Sequence, residues 1–565
     1  MTISKLLVGL LVAAPLPVLG EEAEENPDSS EELMEEVAKP ETPPPTEKAT
    51  PPEPEVAEVL ADDFFTFTDF VDNRVTFALS NVNIFAGPGE RATTTSGTRI
   101  GVDPNFNLFV ENVNTRFSGY ESLAHLVLYK KSDAFFERME TEAALAALLL
   151  ANSNNGELRY SDSGTYLRVI AKLQKGDEKA VDSVDVTAWP LSSDRFRLGY
   201  TYLISWGGTA IFPGKLQASS LTEGAVPGVR LRYRAANDAG YAFLGLKSAL
   251  LLSRQPGNEA GELVPNMGVL AGGGVNLAKR LVLEANGGLF QKGTQERPGL
   301  EGEAILGYGA SARVSVYDGI PPPQSADLAL YRNDPRYPDD YSFKPWKVVT
   351  GYSASVEVNA IFQNLEDPEQ FGSEKLVSAL AAGLVGSLQL DYLRLRLEGF
   401  FQSADFILFN VPGFVPFQAI SSLATTTPEF FAGIGAEYYV DSLHLQPGLT
   451  IGVKMPATYE SAVLADQGGA SGVGGAQTGE ARVQIINDGT SRVVLPPGKG
   501  ATPIIGVMFK VPMYLSKTMV LAFESRLEIN DNQPRLAQDN ERGEVTTIFD
   551  DPLRLALGLV LQARF

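Results

Sequence analysis

The sequence predicts an all-β fold: a transmembrane, antiparallel, up-and-down β-barrel of about 16–20 strands. Three observations point there. Apolar residues recur at every second position in segment after segment, with polar or charged residues between them. Many of these segments run for about 11–15 residues, against about 5–6 for an ordinary strand and 9–11 for a strand crossing a bilayer. Connections between them alternate between tight turns and long loops, as a spanning barrel requires.

Taken in order, residues 1–20 (MTISKLLVGLLVAAPLPVLG) carry Lys5, an apolar stretch from Leu6 to about Ala14, and small Gly20 before Glu21. This is the build of a secretory signal peptide, and its apolar run is far short of a spanning helix. No later stretch is long and apolar enough to cross as a helix, so membrane residence has to come from strands. Residues 21–62 are dominated by Glu and Pro. They bury too little apolar surface to offset the entropy of ordering, so a disordered tail is expected. The proline clusters at 43–45 and 51–54 favour extended polyproline II.

Residues 63–565 form the expected barrel, with strand patterns from about 164 and up to four more strands from about 74. In FRLGYTYLISW, Phe196, Leu198, Tyr200, Tyr202, Ile204 and Trp206 share one face. Val229, Leu231 and Tyr233 oppose Arg230, Arg232 and Arg234, and Leu393, Leu395 and Leu397 oppose Arg394, Arg396 and Glu398. Near the end, Met519, Leu521 and Phe523 oppose Glu524, Arg526 and Glu528. Tight connections fall at 236–239, Ala278–Lys279, Asp391–Tyr392, 440–442 and Ser516–Lys517, and long ones at 207–225, 363–377, 408–428, 457–500 and 531–551. Two places resist the pattern. ERMETEAALAALLLAN (137–152) has helical propensity, yet a strand keeps the up–down parity of its neighbours and is the expectation over a lumenal helix. The Pro- and Tyr-rich stretch 319–347 is long although parity puts it on the tight-turn side.

Composition removes several functions. A formal net charge of −23 argues against nucleic-acid binding, which needs excess Lys and Arg. There is no cysteine, so no disulfide, thiol nucleophile or Cys-ligated metal is available. His125 and His444 are the two histidines, neither with a supporting motif, and both read as structural. GGASGVGG (468–475) lacks the lysine of a phosphate loop. No acidic run has calcium-loop spacing. No cofactor, metal or catalytic residue is expected.

The informative residues are charges on the polar faces. Arg195 and Arg197 precede a long loop, and Arg230, Arg232 and Arg234 follow it on the expected hairpin partner. Together with Arg394, Arg396, Glu398, Glu524, Arg526 and Glu528 they are expected to face a lumen. Two readings stay open. Clustered guanidiniums attract anions and stay charged at any working pH. Alternatively, they pair with Glu284, Glu357, Glu398, Glu437, Glu524 and Glu528 and brace the wall.

The signal peptide, long alternating strands, turn rhythm and terminal Phe565 resemble a bacterial outer-membrane β-barrel protein, porin-like in size. In that family a last strand ending in an aromatic is read by the β-barrel assembly machinery. Leu557, Leu559, Leu561, Ala563 and Phe565 match that pattern, with Ala563 smaller than usual. The resemblance implies residence among outer-membrane lipid and lipopolysaccharide, with the tail in the periplasm. Tyr200, Tyr202, Trp206, Phe401, Phe430 and Tyr438 are then candidates for aromatic girdles at the two interfaces. The expected function is a non-enzymatic channel for small hydrophilic solutes, anions among them. The alternative is a component of an envelope machine for secretion, polysaccharide export or gliding motility, binding a periplasmic protein through its tail and 319–347. Homo-oligomerisation is left open.

Overall fold

The computed structural model describes residues 71–565 except 82–83, 86–119, 134–135, 153–156, 163, 177–179, 192, 194–195, 202–225, 256–257, 279, 296–298, 323–347, 410–418, 423, 462–480, 486–491, 496–501, 517, 532–533, 539–544, 550 and 565. The expected signal peptide, the tail, Arg195, Tyr202, Trp206, most of 319–347, the 468–475 glycines and Phe565 lie outside the described residues.

The strands are β1 (Val71–Asn81), β2 (Tyr120–Asp133), β3 (Met139–Asn152), β4 (Glu157–Asp162), β5 (Tyr166–Lys172), β6 (Ser183–Trp189), β7 (Gly228–Arg234), β8 (Gly240–Gln255) and β9 (Asn258–Leu277). There follow β10 (Leu281–Thr294), β11 (Ala304–Asp318), β12 (Val349–Glu366), β13 (Glu374–Asp391), β14 (Leu393–Gln402), a short helix α1 (Ala404–Phe409), β15 (Thr425–Thr427), β16 (Glu429–Tyr438) and β17 (Gly448–Met455). The last are β18 (Thr458–Ser461), β19 (Ala481–Ile485), β20 (Arg492–Leu495), β21 (Ile504–Tyr514), β22 (Met519–Ile529), β23 (Pro534–Gln538), β24 (Val545–Phe549) and β25 (Leu553–Arg564).

Nineteen of these strands make one sheet. β4 and β5 both lie along β3 as halves of one interrupted strand, so the wall has eighteen staves. The interruption is a turn in which the Asp162 carboxylate accepts the Gly164 and Thr165 N–H groups, both at 3.1 Å. Each stave pairs antiparallel with its neighbours, and β25 pairs with β1 from Arg74 opposite Arg564 to Asn81 opposite Leu557. The ladder therefore returns to its first strand and closes on itself, as a lipid setting demands of a sheet whose unpaired backbone groups are costly. The expected strand at 137–152 is β3, and its hydrogen bonds to β2 and β5 outweigh helical propensity.

Period two then sets the faces. On β12, Val356 and Val358 point outward, the latter 51% exposed, while Ser355, Glu357 and Asn359 point inward, Glu357 only 1% exposed. The same division runs around the wall: exposed Leu244, Leu246, Val314, Leu384, Leu397, Ile434, Ile451 and Leu559 outside, and buried Lys247, Arg313, Arg396, Glu398 and Thr450 inside. A one-residue slip would exchange the two sets, so the pattern also fixes the register. An apolar band of this extent is far larger than a soluble protein exposes.

Among described residues, turns at one end are short: 235–239, 278–280, Tyr392, 439–447 and 515–518. The connection from β11 to β12, 319–348, is the long exception at that end, as parity required. The other end carries the long connections, which form two small sheets of their own, β15–β18–β19–β20 and β23–β24. His444 sits in a tight turn with its backbone left-handed and its side chain exposed, Nδ1 being 3.1 Å from the Tyr439 hydroxyl.

Two expected elements are different. FRLGYTYLISW is not a wall strand over its described part. The wall strand there is β6, SVDVTAW, and residues 196–201 cross the inner face of the barrel. Phe196 and Leu198 are fully buried and Tyr200 is 4% exposed, so Tyr200 belongs to no outer girdle. An extended segment shows period two wherever it lies between a wall and further side chains, and Gly199, at φ +80°, breaks its strand geometry. Likewise the connection after β14 does not leave the barrel at once: α1 folds back against the inner faces of β12 and β13.

Candidate functional site

The lumen is shaped by residues 196–201, which we call the strap. Its path is set by the wall. At β8 the Lys247 ammonium donates to the Phe196 carbonyl at 3.0 Å. At β12 the Glu357 carboxylate accepts the N–H groups of Tyr200, at 3.0 Å, and Thr201, at 3.2 Å. On β11 between them, the Arg313 guanidinium lies over the Tyr200 ring, 4.2 Å from its centroid. A backbone segment inside a barrel has no ladder of its own, so buried charges on the wall satisfy its polar groups instead. Asn359 Nδ2 donates to Glu357 at 2.8 Å and fixes the carboxylate.

The wall also makes room. A Cβ at Gly245 would stand 2.2 Å from the Phe196 ring, and one at Gly383 would stand 2.7 Å from Thr201. These glycines, on β8 and β13, mark the two ends of the strap's track. Five inter-strand steps of about 4.8 Å make roughly 24 Å along the wall, whereas five extended residues reach at most about 18 Å. The strap therefore runs inside the curve of the wall and narrows the lumen.

At the root of the strap stands an arginine cluster. Asp185 on β6 takes Arg232 Nε at 2.7 Å, Arg168 NH2 at 3.3 Å and Arg230 NH2 at 3.6 Å. Arg168 also reaches Glu142 at 3.3 Å, and the Tyr166 hydroxyl donates to the same carboxylate. In these contacts three guanidiniums meet two carboxylates. Arg230 further covers the stacked pair Trp189–Phe196, 5.1 Å from the indole centroid. The cluster thus ties a cationic patch to the aromatic start of the strap.

Other lumenal charges pair with near neighbours. Arg396 and Arg394 reach Glu437 at 2.8 and 3.5 Å, Lys510 and Arg526 reach Glu524 at 2.9 and 3.6 Å, and Arg313 reaches Glu284 at 3.7 Å. Glu528 accepts from Asn530 at 3.0 Å, and Glu398 is buried in the wall. Of the expected partners, Glu437 meets Arg394 and Arg396, whereas Glu284 pairs with Arg313, Glu524 with Lys510 and Arg526, and Glu357 holds backbone instead.

Of the expected arginines, Arg230 and Arg232 come together as foreseen, and Arg197 is buried in the strap. The strand beside β7 is β6 and not the 195–206 stretch, because the strap has left the wall. Asp185, Arg168, Glu142, Lys247, Arg313 and Lys292 were not singled out from sequence. The alternation of SVDVTAW was the available signal for Asp185: its apolar face is only Val184, Val186 and Ala188. On the outside, Phe401 and Phe430 stand side by side at 5.3 Å near the long-loop end, and exposed Tyr438 lies at the opposite end of β16.

No protein-family model and no curated protein matches the sequence. Among solved structures the chain is similar to Pseudomonas aeruginosa OccK3 (OpdO), at 9% identity and TM-score 0.40, covering 88% of this chain and 94% of that one. It is similar to the Pseudomonas aeruginosa outer membrane protein OpdK, at 8% identity and TM-score 0.38, covering 88% and 98%. Acinetobacter baumannii OccAB2 is similar at 8% identity and TM-score 0.40, covering 88% and 97%. The barrel itself stands on its own strand pairings.

Proposed function

We propose that the chain is an outer-membrane channel whose lumen passes small hydrophilic solutes and favours anions. The observation that carries this is the strap rooted in the Arg168–Arg230–Arg232 cluster: a narrowed lumen with fixed cationic charge at its narrowing. Guanidiniums in a low-dielectric passage raise the local concentration of anions. In this reading the outward leucine and valine band contacts outer-membrane lipid, Phe401 and Phe430 mark one interface and Tyr438 the other, and the tight-turn end faces the periplasm. Leu557, Leu559, Leu561 and Ala563, all on the outward face of β25, with Phe565 serve as the assembly signal.

Reversal potentials in planar bilayers test it. Replacing Arg230, Arg232 and Arg234 by Glu should turn selectivity toward cations, with heat-modifiable gel migration confirming a folded barrel. Unchanged selectivity in folded protein sinks the anion preference. A second reading, an envelope-machine component, draws on the long 319–348 connection at the tight-turn end. Silence in bilayers together with a co-purifying periplasmic protein would favour it.

A further inference from the structure

Lys292 is a buried lysine that the strap and the arginine cluster do not use. It lies on the inner face of β10, 7% exposed, at a register shift between Gln291 and Thr294. Gly293 there has φ +103°, and its N–H goes to the Asn266 side chain at 3.1 Å. Such a bulge re-aims the side chain beside it, and bulges concentrate next to functional sites. Here it aims the ammonium at α1, donating to the Phe409 carbonyl at 2.7 Å. Among the described residues no carboxylate pairs with Lys292, so a buried cation is held by a neutral oxygen at a helix C-terminus.

The two ends of α1 are secured unequally. At its start, Ser403 exchanges hydrogen bonds with Leu380 in both directions, at 2.9 and 3.1 Å, and its hydroxyl caps the Phe406 N–H at 3.2 Å. Phe406 and Phe409 pack on the inner wall with Ile361, Leu365, Ala379 and Ala381, and Ile407 is buried with Ala404 and Ala457. At its end, among the described residues, the Lys292 ammonium ties helix backbone to the wall.

The geometry points to Lys292 as an anion-binding site, occupied at rest by the Phe409 carbonyl, at which a phosphate or carboxylate displaces the carboxyl-terminal end of α1 from the inner wall. A charged acceptor binds an ammonium more strongly than a neutral carbonyl does, so an anion favours the displaced state. Helix α1 pivots at Ser403, and its Phe409 end moves off the inner faces of β12 and β13. The inference rests on the anion-channel reading and adds to it a solute-responsive element at the long-loop end.

The absence of native cysteine permits a direct test on the full-length protein in detergent. Ile407→Cys places a thiol at a buried position of α1, and its labelling by a water-soluble thiol reagent reports displacement. Exchanging chloride for inorganic phosphate, or separately for acetate, at constant ionic strength should accelerate labelling about tenfold, the size expected for a hydrogen bond to a charged group. Lys292→Arg should keep the acceleration. Lys292→Gln retains a donor for Phe409 but no charge and should abolish it. No acceleration with Lys292 present, equal acceleration in Lys292→Gln, or equally rapid labelling in chloride alone would each overturn the assignment. Reversal potentials of the same preparations report channel selectivity separately, so failure of the latch and failure of the anion channel are distinguishable.

Discussion

The wall and the strap are both extended, both alternate apolar and polar residues, and are held by opposite means. A wall strand such as β12 satisfies its backbone with two neighbours along its length and its side chains with lipid on one face and lumen on the other. Among the described residues the strap has one bridge residue, Leu198, and no ladder. Its amides go to Glu357, its Phe196 carbonyl goes to Lys247, and its aromatic rings go under Arg230 and Arg313. Wall geometry is thus spread over many equivalent bonds, whereas strap geometry is concentrated in a few buried charges.

That contrast can be broken at three places, in descending order of effect. Val358→Arg puts a charge on the outward face of mid-β12 and should cost about 2–4 kcal/mol of folding stability in lipid, read by denaturant titration of vesicle-inserted protein. A loss near zero would mean the face assignment is wrong. Glu357→Ala leaves two buried amides without an acceptor, about 1–3 kcal/mol each, which favours release of the strap and should raise single-channel conductance on the order of twofold. Glu357→Gln keeps an acceptor and should lie near the parent; a conductance equal in all three would show that Glu357 does not position the strap.

The smallest effect concerns the long-loop connections. Hydrogen bonds from Ser422 hold the exposed Glu369 carboxyl below the ordinary carboxylate range. Because the folded value is depressed, this tie is fully present above the unfolded value and is lost as pH falls through the folded one. The protection factor of the Ser422 amide in hydrogen exchange should fall over that acidic window, and Glu369→Gln should remove the pH dependence. A pH-independent protection factor in the parent would discount the tie.

Most of the wall could be read from residues alone, because lipid on one side and polar lumen on the other impose strict alternation. Arg230, Arg232, Arg394 and Arg396 were placed inward on that basis, and they are inward. The strap was misread for the same physical reason. Phe196, Leu198 and Tyr200 alternate as a lipid-facing strand would, and alternation reports burial of one side without saying which side of the barrel buries it. Asp185 escaped notice because its strand has a short apolar face of small residues, and Lys247, Arg313 and Lys292 because each owes its role to a partner distant in sequence. Tyr200 shows the limit most plainly: its aromatic character suggested an interface, and its neighbours Glu357 and Arg313 put it in the lumen.

Every contact described for the strap is to a wall strand: Lys247, Arg313, Glu357, and the notches at Gly245 and Gly383. Among the described residues, none of these contacts is with the small sheets built by the long connections. In these contacts the bore is set by the wall. On the outer-membrane reading, the outer loops can drift under pressure from phage or antibody while the gauge of the channel stays constant.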